Sequence, residues 1–233
     1  MKPIDPKRPF PWSVGVCAHN EGTQADGSSR LRVWLQHWQP LVSEVVVILH
    51  DCNDDSAAIC AEFGVKPVIV QISGVMEVIQ GETPIHADPA SWHIRTGGID
   101  EFMSAEHLTA LERVIAENPD IRLYWIGRKN FCDGVDISPL LGLDWQLDIM
   151  RPRPLPLKYE GGIHTYPRPT VHASQIGMID PDVAWIDHRR TLAEIETHNR
   201  SRNGFTSPEM VQMQEQFIAR VHEVMRHAKG AKA

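Results

Sequence analysis

The sequence predicts an α/β fold with a mostly parallel central sheet flanked by helices. Strand-like and helical segments alternate in the order β-α-β-α-β between residues 13 and 72, which implies parallel strands joined by right-handed crossovers. The strand segments are short and apolar on both faces, as in sheets that helices cover on both sides. Polar and acidic loops follow these strands. Because ligands of open α/β sheets bind at the carboxyl ends of the strands, the same pattern predicts where a ligand would lie.

Each element of this first part follows from a local pattern. Apolar runs predict three strands and periodic segments predict two helices, namely strands 13–18, 44–49 and 68–72 and helices 31–38 and 57–63. One face of the first helix carries the apolar residues Leu31, Trp34, Leu35 and Trp38. Gly64 is expected to end the second helix, because glycine readily adopts the left-handed conformation of the C′ position.

Residues 91–102 are predicted to form a strand that ends in an acidic loop before a helix. Gly97 and Gly98 allow a sharp turn or a close approach to a ligand. The adjacent carboxylates of Asp100 and Glu101 suit a divalent cation, and such a cation suits a diphosphate. A solvated acidic turn at a helix N-terminus explains the same residues, since acids are favoured there.

The rest of the chain is predicted to continue the α/β pattern. Residues 73–90 contain two glycines and two prolines and predict a long loop with room for a short helix. Further predicted elements are helices 104–117, 192–200 and 208–227 and strands 121–126, 143–151 and 184–186. The last helix carries an apolar stripe that would pack on the core or on a second subunit, so a homodimer stays open.

Composition narrows the class of protein. A formal net charge of −7 argues against a general binder of nucleic acids or anionic membranes. The four cysteines have neither a CxxC pair nor zinc-site spacing, which predicts free thiols in a reducing compartment. The N-terminus has no apolar signal segment, and no apolar run is long enough to span a membrane. We therefore expect a cytoplasmic protein without integral membrane contact.

Three loops at predicted strand ends carry a family resemblance. The first strand runs into Asn20-Glu21, and the second runs into the acidic segment 51–56. The strand predicted within residues 91–102 ends in Asp100-Glu101-Phe102. In this order, residues 13–200 resemble the GT-A-type glycosyltransferases, and most closely family 2, which transfers sugars from nucleotide-sugar donors. The metal motif of that family reads Asp-x-Asp, followed in one subgroup by Glu-Phe.

One position departs from the family pattern. Gly98 stands where the first Asp of the metal motif would be. Three alternatives follow: the metal is bound more weakly, it is bound by other ligands, or it is not bound at all.

The resemblance implies a fold and a division of the chain. The fold would be the GT-A fold, a Rossmann-like nucleotide-diphospho-sugar transferase fold. An extended arm, 1–12, would precede one catalytic domain, 13–205, and a C-terminal amphipathic helix with its tail, 206–233. Within the domain, residues 13–103 would bind the nucleotide sugar and residues 104–205 would bind the acceptor.

The resemblance also implies ligands. The donor would be a nucleotide sugar, with a UDP-sugar favoured, and a divalent metal, Mn²⁺ or Mg²⁺, would bridge its diphosphate. The implied donor-binding residues are Ala18, Asn20, Glu21, Asp51, Asp55, Arg95 and Asp100. The implied metal ligands are Asp100 and His164, since manganese accepts imidazole. A turn or helix cap is the structural alternative for Asp51, where the donor contact is favoured, and an N-cap explains Asp55 almost as well.

An inverting transfer needs a general base that deprotonates the acceptor hydroxyl. The carboxylates in the corresponding part of the chain are Asp133, Asp144 and Asp148, and Asp144 is the predicted base. Glu101 is the second predicted catalytic residue, as a metal ligand or as an acceptor of a hydrogen bond from the sugar.

Two other functions compete with a glycosyltransferase. A nucleotidyltransferase could use a similar frame, but that class has a basic Gly-rich loop after the first strand, where this chain has His19-Asn20-Glu21. A non-catalytic protein that binds a nucleotide sugar would fit the glycine at position 98. The sequence identifies no acceptor.

Overall fold

The computed structural model describes residues 10–71, 82–141, 144–151, 157–160, 166–202 and 208–230. The chain divides into two compact units. Unit 1 comprises Met1–Gly127 and Trp145–Trp185, and unit 2 comprises Arg128–Asp144 and Ile186–Ala233.

The described residues form strands and helices in alternation, as the sequence predicts. The strands are β1 Phe10–Ala18, β2 Val42–His50, β3 Val68–Val70, β4 Trp92–Arg95, β5 Glu101–Phe102, β6 Leu123–Cys132, β7 Val135–Asp136, β8 Asp144–Met150, β9 Leu157–Glu160, β10 Tyr166–Pro169, β11 Ile176–Met178 and β12 Ile186–Arg190. The helices are α1 Arg30–Trp38, α2 Ser56–Glu62, α3 Ala105–Glu117, α4 Ser138–Leu141, α5 Leu192–Arg202 and α6 Pro208–Gly230, with short 3-10 turns at Thr83–Ile85 and Ala173–Gln175.

The sheet of unit 1 has the order β3-β2-β1-β4-β8-β6. Strands β3, β2, β1 and β4 are parallel, β8 is antiparallel to β4, and β11 adds to β6 in parallel. The predicted α/β class with a mostly parallel sheet is therefore confirmed. Because the first four strands are parallel, their carboxyl ends share one edge of the sheet.

Helix α1 shows how local sequence determines an element. The side chain of Ser29 accepts a hydrogen bond from the Arg32 amide and caps the helix. The four apolar residues that share one helix face are all fully buried, as the spacing predicts: Leu31, Trp34, Leu35 and Trp38. Helix α3 begins in the same way, with Ser104 accepting from the His107 amide.

The centre of unit 1 also buries a histidine. His93 is fully buried, with Nδ1 2.8 Å from Ser13 Oγ and Nε2 3.1 Å from Thr83 Oγ1. Burial lowers the pKa of His93 to about 3, and the nearby Arg95 adds to the effect. The imidazole is therefore neutral and is held by two hydroxyl groups.

Unit 2 has its own apolar cluster. Strands β6 and β7 form a hairpin whose turn residues, Asp133 and Gly134, have φ angles of 46° and 78°, as tight hairpin turns require. The buried members of the cluster are Cys132, Ile137, Ile195, Val221 and Met225. Two of these belong to α6, so the apolar stripe of this helix packs on the core of unit 2, one of the two alternatives that the sequence leaves open.

Several predicted boundaries are wrong. Strand β1 begins at Phe10, within the predicted arm. Strand β12 begins at Ile186, where the predicted strand 184–186 ends, and its polar residues explain why an apolar pattern does not predict it. Strand β11 was not predicted, and residues 73–81 of the predicted long loop lie outside the described residues. Over the described ranges, no helix combines the length and apolar character needed to cross a membrane.

Candidate functional site at the carboxyl edge of the sheet

Three loops follow β1, β2 and β4 at the carboxyl edge of the unit 1 sheet. Ala18, the last residue of β1, pairs with Leu49 near the end of β2. Strand β4 stops earlier, with Arg95 beside Gly15. The first two loops therefore start side by side, and the third starts about three residues lower along β1.

The first two loops are joined by side-chain carboxylates. The Gly22 amide donates to Asp54 Oδ2 at 2.7 Å. The Thr23 amide donates to Asp55 Oδ1 at 2.7 Å, and the Thr23 hydroxyl donates to Asp55 Oδ2 at 2.6 Å. These four residues, Gly22, Thr23, Asp54 and Asp55, are called the loop clasp below.

The clasp affects the protonation of both carboxylates. Hydrogen bonds from Thr23 hold the pKa of Asp55 below its usual value. Partial burial would raise the pKa of Asp54, but hydrogen bonds from Ser56 and Gly22 outweigh burial and lower it. Asp55 stands at the N-cap position of α2 but makes no capping hydrogen bond with its side chain, so the capping alternative is wrong.

Two residues next to the clasp adopt left-handed conformations. Asn20 has a φ of 53° and Asp51 has a φ of 47°. Asn20 Oδ1 accepts a hydrogen bond from the Asn53 amide at 2.9 Å, which links the loops a second time. The Asp51 amide donates to the Val70 carbonyl at 2.9 Å. Its carboxylate is exposed and makes no hydrogen bond within the described residues.

The remaining predicted donor residues of these loops have structural contacts. Ala18 is 1% exposed, and its carbonyl accepts a hydrogen bond from the Cys52 thiol. The Glu21 carbonyl accepts from the Leu31 amide, and its carboxylate lies 4.0 Å from Arg30. Ala18 and Glu21 thus help to hold the ends of β1 and α1.

The third loop is anchored at both ends. Thr96 donates to the Gly15 carbonyl from its amide and from its hydroxyl, at 2.9 and 3.0 Å. Glu101 is 1% exposed, and its Oε2 accepts from the Gly97 amide at 2.7 Å. The Glu101 carbonyl accepts from Trp38 Nε1 at 3.1 Å. Glu101 therefore stabilises the loop from inside the fold.

The Asp100 carboxylate lies where a side chain at residue 98 would begin. A Cβ atom at residue 98 would lie 2.4 Å from Asp100 Oδ1, closer than side chains tolerate. The Asp100 carboxylate thus lies against Gly98. The loop thus presents one partly exposed carboxylate, that of Asp100, while Glu101 is buried.

The described donor atoms do not form a metal site. No three His, Cys, Asp or Glu side chains are grouped to hold a metal ion in the part of the chain that the structure describes. Glu101 points to a backbone amide. The other predicted ligand, His164, lies outside the described residues. The described residues alone therefore do not form the metal site that the resemblance implies.

Arg95 is buried with a carboxylate of the neighbouring strand. Its Nη2 lies 2.5 Å from Asp148 Oδ1, and the two side chains are 7% and 0% exposed. The structure thus places Arg95, a predicted donor residue, in a buried ion pair of unit 1.

The predicted general base belongs to unit 2. Asp144 is exposed and forms an ion pair with Arg128. Of the two other carboxylates considered, Asp148 is buried with Arg95 and Asp133 forms the β6–β7 turn. Of the three carboxylates, Asp144 is thus the one that is exposed and lies outside a tight turn.

The sequence analysis did not predict the hydrogen bonds that join the first two loops. Thr23 lies in a polar segment without periodicity, and Asn53 and Asp54 are visible only as part of an acidic run. The β-α-β order predicts that β1 and β2 are parallel strands of one sheet, and this is the available signal that the two loops start at the same edge. No local pattern indicates which carboxylate binds which amide.

Comparisons with known proteins leave the family open. No protein-family model matches the chain. No curated protein matches it either.

Solved structures show weak similarity. Glucosyl-3-phosphoglycerate synthase from Mycobacterium tuberculosis, solved with Mn²⁺ and uridine-diphosphate-glucose, is 14% identical over 85% of this chain and 81% of that chain, with a TM-score of 0.46. A complex of that protein with Mn²⁺, uridine diphosphate and phosphoglyceric acid is 15% identical over 85% of this chain and 80% of that chain, with a TM-score of 0.44. TarS from S. aureus is 15% identical over 91% of this chain and 42% of that chain, with a TM-score of 0.46. Likenesses of this size carry no argument about activity.

Proposed function

We propose that the protein is a GT-A-type glycosyltransferase that moves a sugar from a nucleotide-diphosphate sugar, with a UDP-sugar as the expected donor, to an acceptor hydroxyl. The observation that carries the proposal is the pair of left-handed residues, Asn20 and Asp51, at the carboxyl ends of adjacent parallel strands. Strained residues of this kind are retained where the surrounding structure fixes them, and they cluster at functional sites.

Asp51 is the proposed contact for the nucleoside. An ionised carboxylate only accepts hydrogen bonds and can take two donors at once, such as two ribose hydroxyls or a base N–H and a hydroxyl. The Asp51 carboxylate is exposed at the sheet edge where ligands of α/β folds bind. Asn20, at the adjacent strand end, is the proposed second contact with the donor.

The chemistry of the proposed transfer is mainly positioning. Holding the donor against the acceptor hydroxyl lowers the entropic part of the barrier, and a base removes the hydroxyl proton as the new bond forms. Asp144 remains the predicted base for an inverting reaction. Arg95, Glu21 and Ala18 remain predicted donor residues, although their observed contacts support structural roles.

Binding of uridine diphosphate tests the proposal. Calorimetry of the full chain with UDP, GDP and ADP, each with and without Mn²⁺, should show selective binding of one diphosphate. Asp51→Asn keeps the size of the side chain but removes its charge, and it should weaken that binding about tenfold, the loss of one charge-assisted hydrogen bond. Glu117→Gln, an exposed change at the end of α3, is the matched control and should bind normally.

Turnover separates the proposed enzyme from its alternatives. Release of UDP from a UDP-sugar in the presence of candidate acceptors supports transfer. Pyrophosphate release from UTP and a sugar phosphate supports a nucleotidyltransferase. Tight UDP-sugar binding without either product supports a non-catalytic binder. This is the second candidate, because Glu101 is buried and position 98 is a glycine. No binding of any nucleotide would refute all three.

A further inference from the structure

We infer that the loop clasp sets the affinity for the nucleotide by positioning Asn20 and Asp51, so that Asp54 and Asp55 are positioning residues and not ligands of the donor. This inference rests on the proposed function. It replaces the expectation that Asp55 contacts the donor with a different role for the same carboxylate.

The direction of the two carboxylates supports this role. Asp55 directs both oxygens to Thr23, at 2.7 Å to the amide and 2.6 Å to the hydroxyl. Asp54 divides its oxygens between the Gly22 amide, at 2.7 Å, and the Ser56 amide, at 3.0 Å. All four oxygens thus already accept hydrogen bonds from the protein.

Gly22 makes this arrangement possible. A Cβ atom at residue 22 would lie 2.1 Å from Asp55 Oδ1 and 2.7 Å from Asp54 Oδ2. Backbone without a side chain is therefore required where the two carboxylates approach the first loop. The need for glycine arises from close approach, as at other sites where backbone meets a polar group.

Charge gives a second reason for the clasp. Repulsion from Asp55 by itself raises the pKa of Asp54, as expected of adjacent carboxylates. A diphosphate would be repelled by the same charges. Three hydrogen bonds from Gly22 and Thr23 offset this charge, and they keep both carboxylates turned to the first loop.

The clasp is coupled to the proposed binding residues through short segments of backbone. Asn20 precedes Gly22 by two residues, and Asp51 precedes Asp54 by three. Left-handed conformations are less favourable for asparagine and aspartate than for glycine, so neighbouring contacts that fix the loop help them to persist. With the clasp released, Asn20 and Asp51 would sample other conformations, and the nucleotide would bind to a smaller fraction of molecules.

The test removes one partner of the clasp at a time. Thr23→Val keeps the shape of the side chain and the backbone amide and removes only the hydroxyl. Asp55→Ala removes the acceptor, and Asp55→Asn keeps an acceptor oxygen of the same geometry. Thr109→Val, in α3, and Asp88→Asn, before β4, are matched controls whose side chains make only local hydrogen bonds.

UDP binding to the full chain, with and without Mn²⁺, is the first readout. Thr23→Val and Asp55→Ala should each raise the Kd about tenfold, which corresponds to about 1.4 kcal/mol. The double variant should be little worse than either single variant, because both remove the same contact. Asp55→Asn should recover part of the affinity, and the controls should bind like the unmodified protein.

Amide hydrogen exchange without ligand is the second readout. Exchange at the Gly22 and Thr23 amides should accelerate in Asp55→Ala, while amides of β1 and β2 should keep their protection. This pattern shows that the loops loosen within a folded protein. Thr23→Val still tests the inference if Asp55→Ala does not fold.

The outcomes distinguish the inference from the proposed function. If Asp55→Ala abolishes UDP binding while Thr23→Val leaves the Kd unchanged, Asp55 is a ligand and the inference is wrong. If neither variant changes the Kd of a protein that binds UDP, the inference is wrong and the proposed function stands. If the unmodified protein binds no nucleotide, the proposed function and the inference fail together.

Discussion

Arg95 and Asp148 form an ion pair inside unit 1, with Nη2 and Oδ1 2.5 Å apart. Replacing Arg95 by Met should lower the free energy of unfolding by about 3–5 kcal/mol, because the Asp148 charge is left buried without its partner. The double variant Arg95→Met/Asp148→Leu should recover much of this loss, since it removes both charges. Urea unfolding of the three proteins measures the difference.

A direct role for Arg95 in donor binding gives a different result. The loss in the free energy of UDP binding caused by Arg95→Lys would then exceed the loss in the free energy of unfolding. Equal stability losses in the single and double Arg95 variants would contradict the ion-pair explanation.

His93 should make stability depend on pH. Its pKa is about 3 in the folded protein and 6.5 in an unperturbed chain, so the unfolded chain binds one more proton between these values. Stability is fully present above pH 6.5 and falls as the pH decreases toward 3, by up to about 1.4 kcal/mol per pH unit. Urea unfolding between pH 7 and pH 4 should show this slope.

His93→Gln removes the titrating group and should flatten the slope in that range. His86→Gln, which changes an exposed histidine, is the control and should leave the slope unchanged. An NMR titration in which the His93 ring protonates near pH 6.5 in the folded protein would be evidence against the buried, neutral imidazole.

Glu101 should tolerate loss of charge better than loss of its side chain. Glu101→Gln keeps an oxygen that accepts from the Gly97 amide and should change stability little. Glu101→Ala leaves that amide without its acceptor and should cost about 1–3 kcal/mol in the free energy of unfolding. If Glu101 is catalytic, Glu101→Gln instead abolishes turnover in a stable protein, so thermal unfolding and sugar transfer are measured on the same variants.

Gly98→Asp should increase the response to Mn²⁺. A side chain at residue 98 displaces the Asp100 carboxylate, which is only 2.4 Å from the Cβ position, and adds a second carboxylate to the loop. Metal present at ten times its Kd stabilises the fold by about 1.4 kcal/mol, which a thermal shift detects.

Gly98→Asn is the matched control for this experiment, because it displaces Asp100 without adding charge. Equal Mn²⁺ responses in the two variants, measured with and without UDP, would show that the loop cannot form a cation site from these residues.

The sequence predicts well those elements whose residues depend on their neighbours in the chain. The buried face of α1 follows from periodicity alone. Glu101 is harder to predict, because an acid in a glycine-containing loop is typical of an exposed turn, whereas its actual partner is an amide inside the fold.

Long-range pairings are the part of the structure that local patterns leave out. No pattern in the sequence indicates that Arg95 pairs with Asp148, 53 residues later. Strand β11 escaped prediction because three residues added to the edge of β6 leave no apolar pattern. Pairings of this kind depend on the tertiary fold, which local patterns do not specify.

Gly15 links the interior of unit 1 to the carboxyl edge of its sheet. Its carbonyl holds Thr96, and a Cβ atom at residue 15 would lie 2.5 Å from Thr83 Cβ and 2.7 Å from His93 Cε1. Any larger residue at this position would push β1 away from β4 and displace the loop that begins at Thr96. In a mutational scan scored by UDP capture, Gly15 would therefore rank with Asn20 and Asp51, the proposed contact residues. A parallel scan scored by protein abundance would separate the two kinds of position.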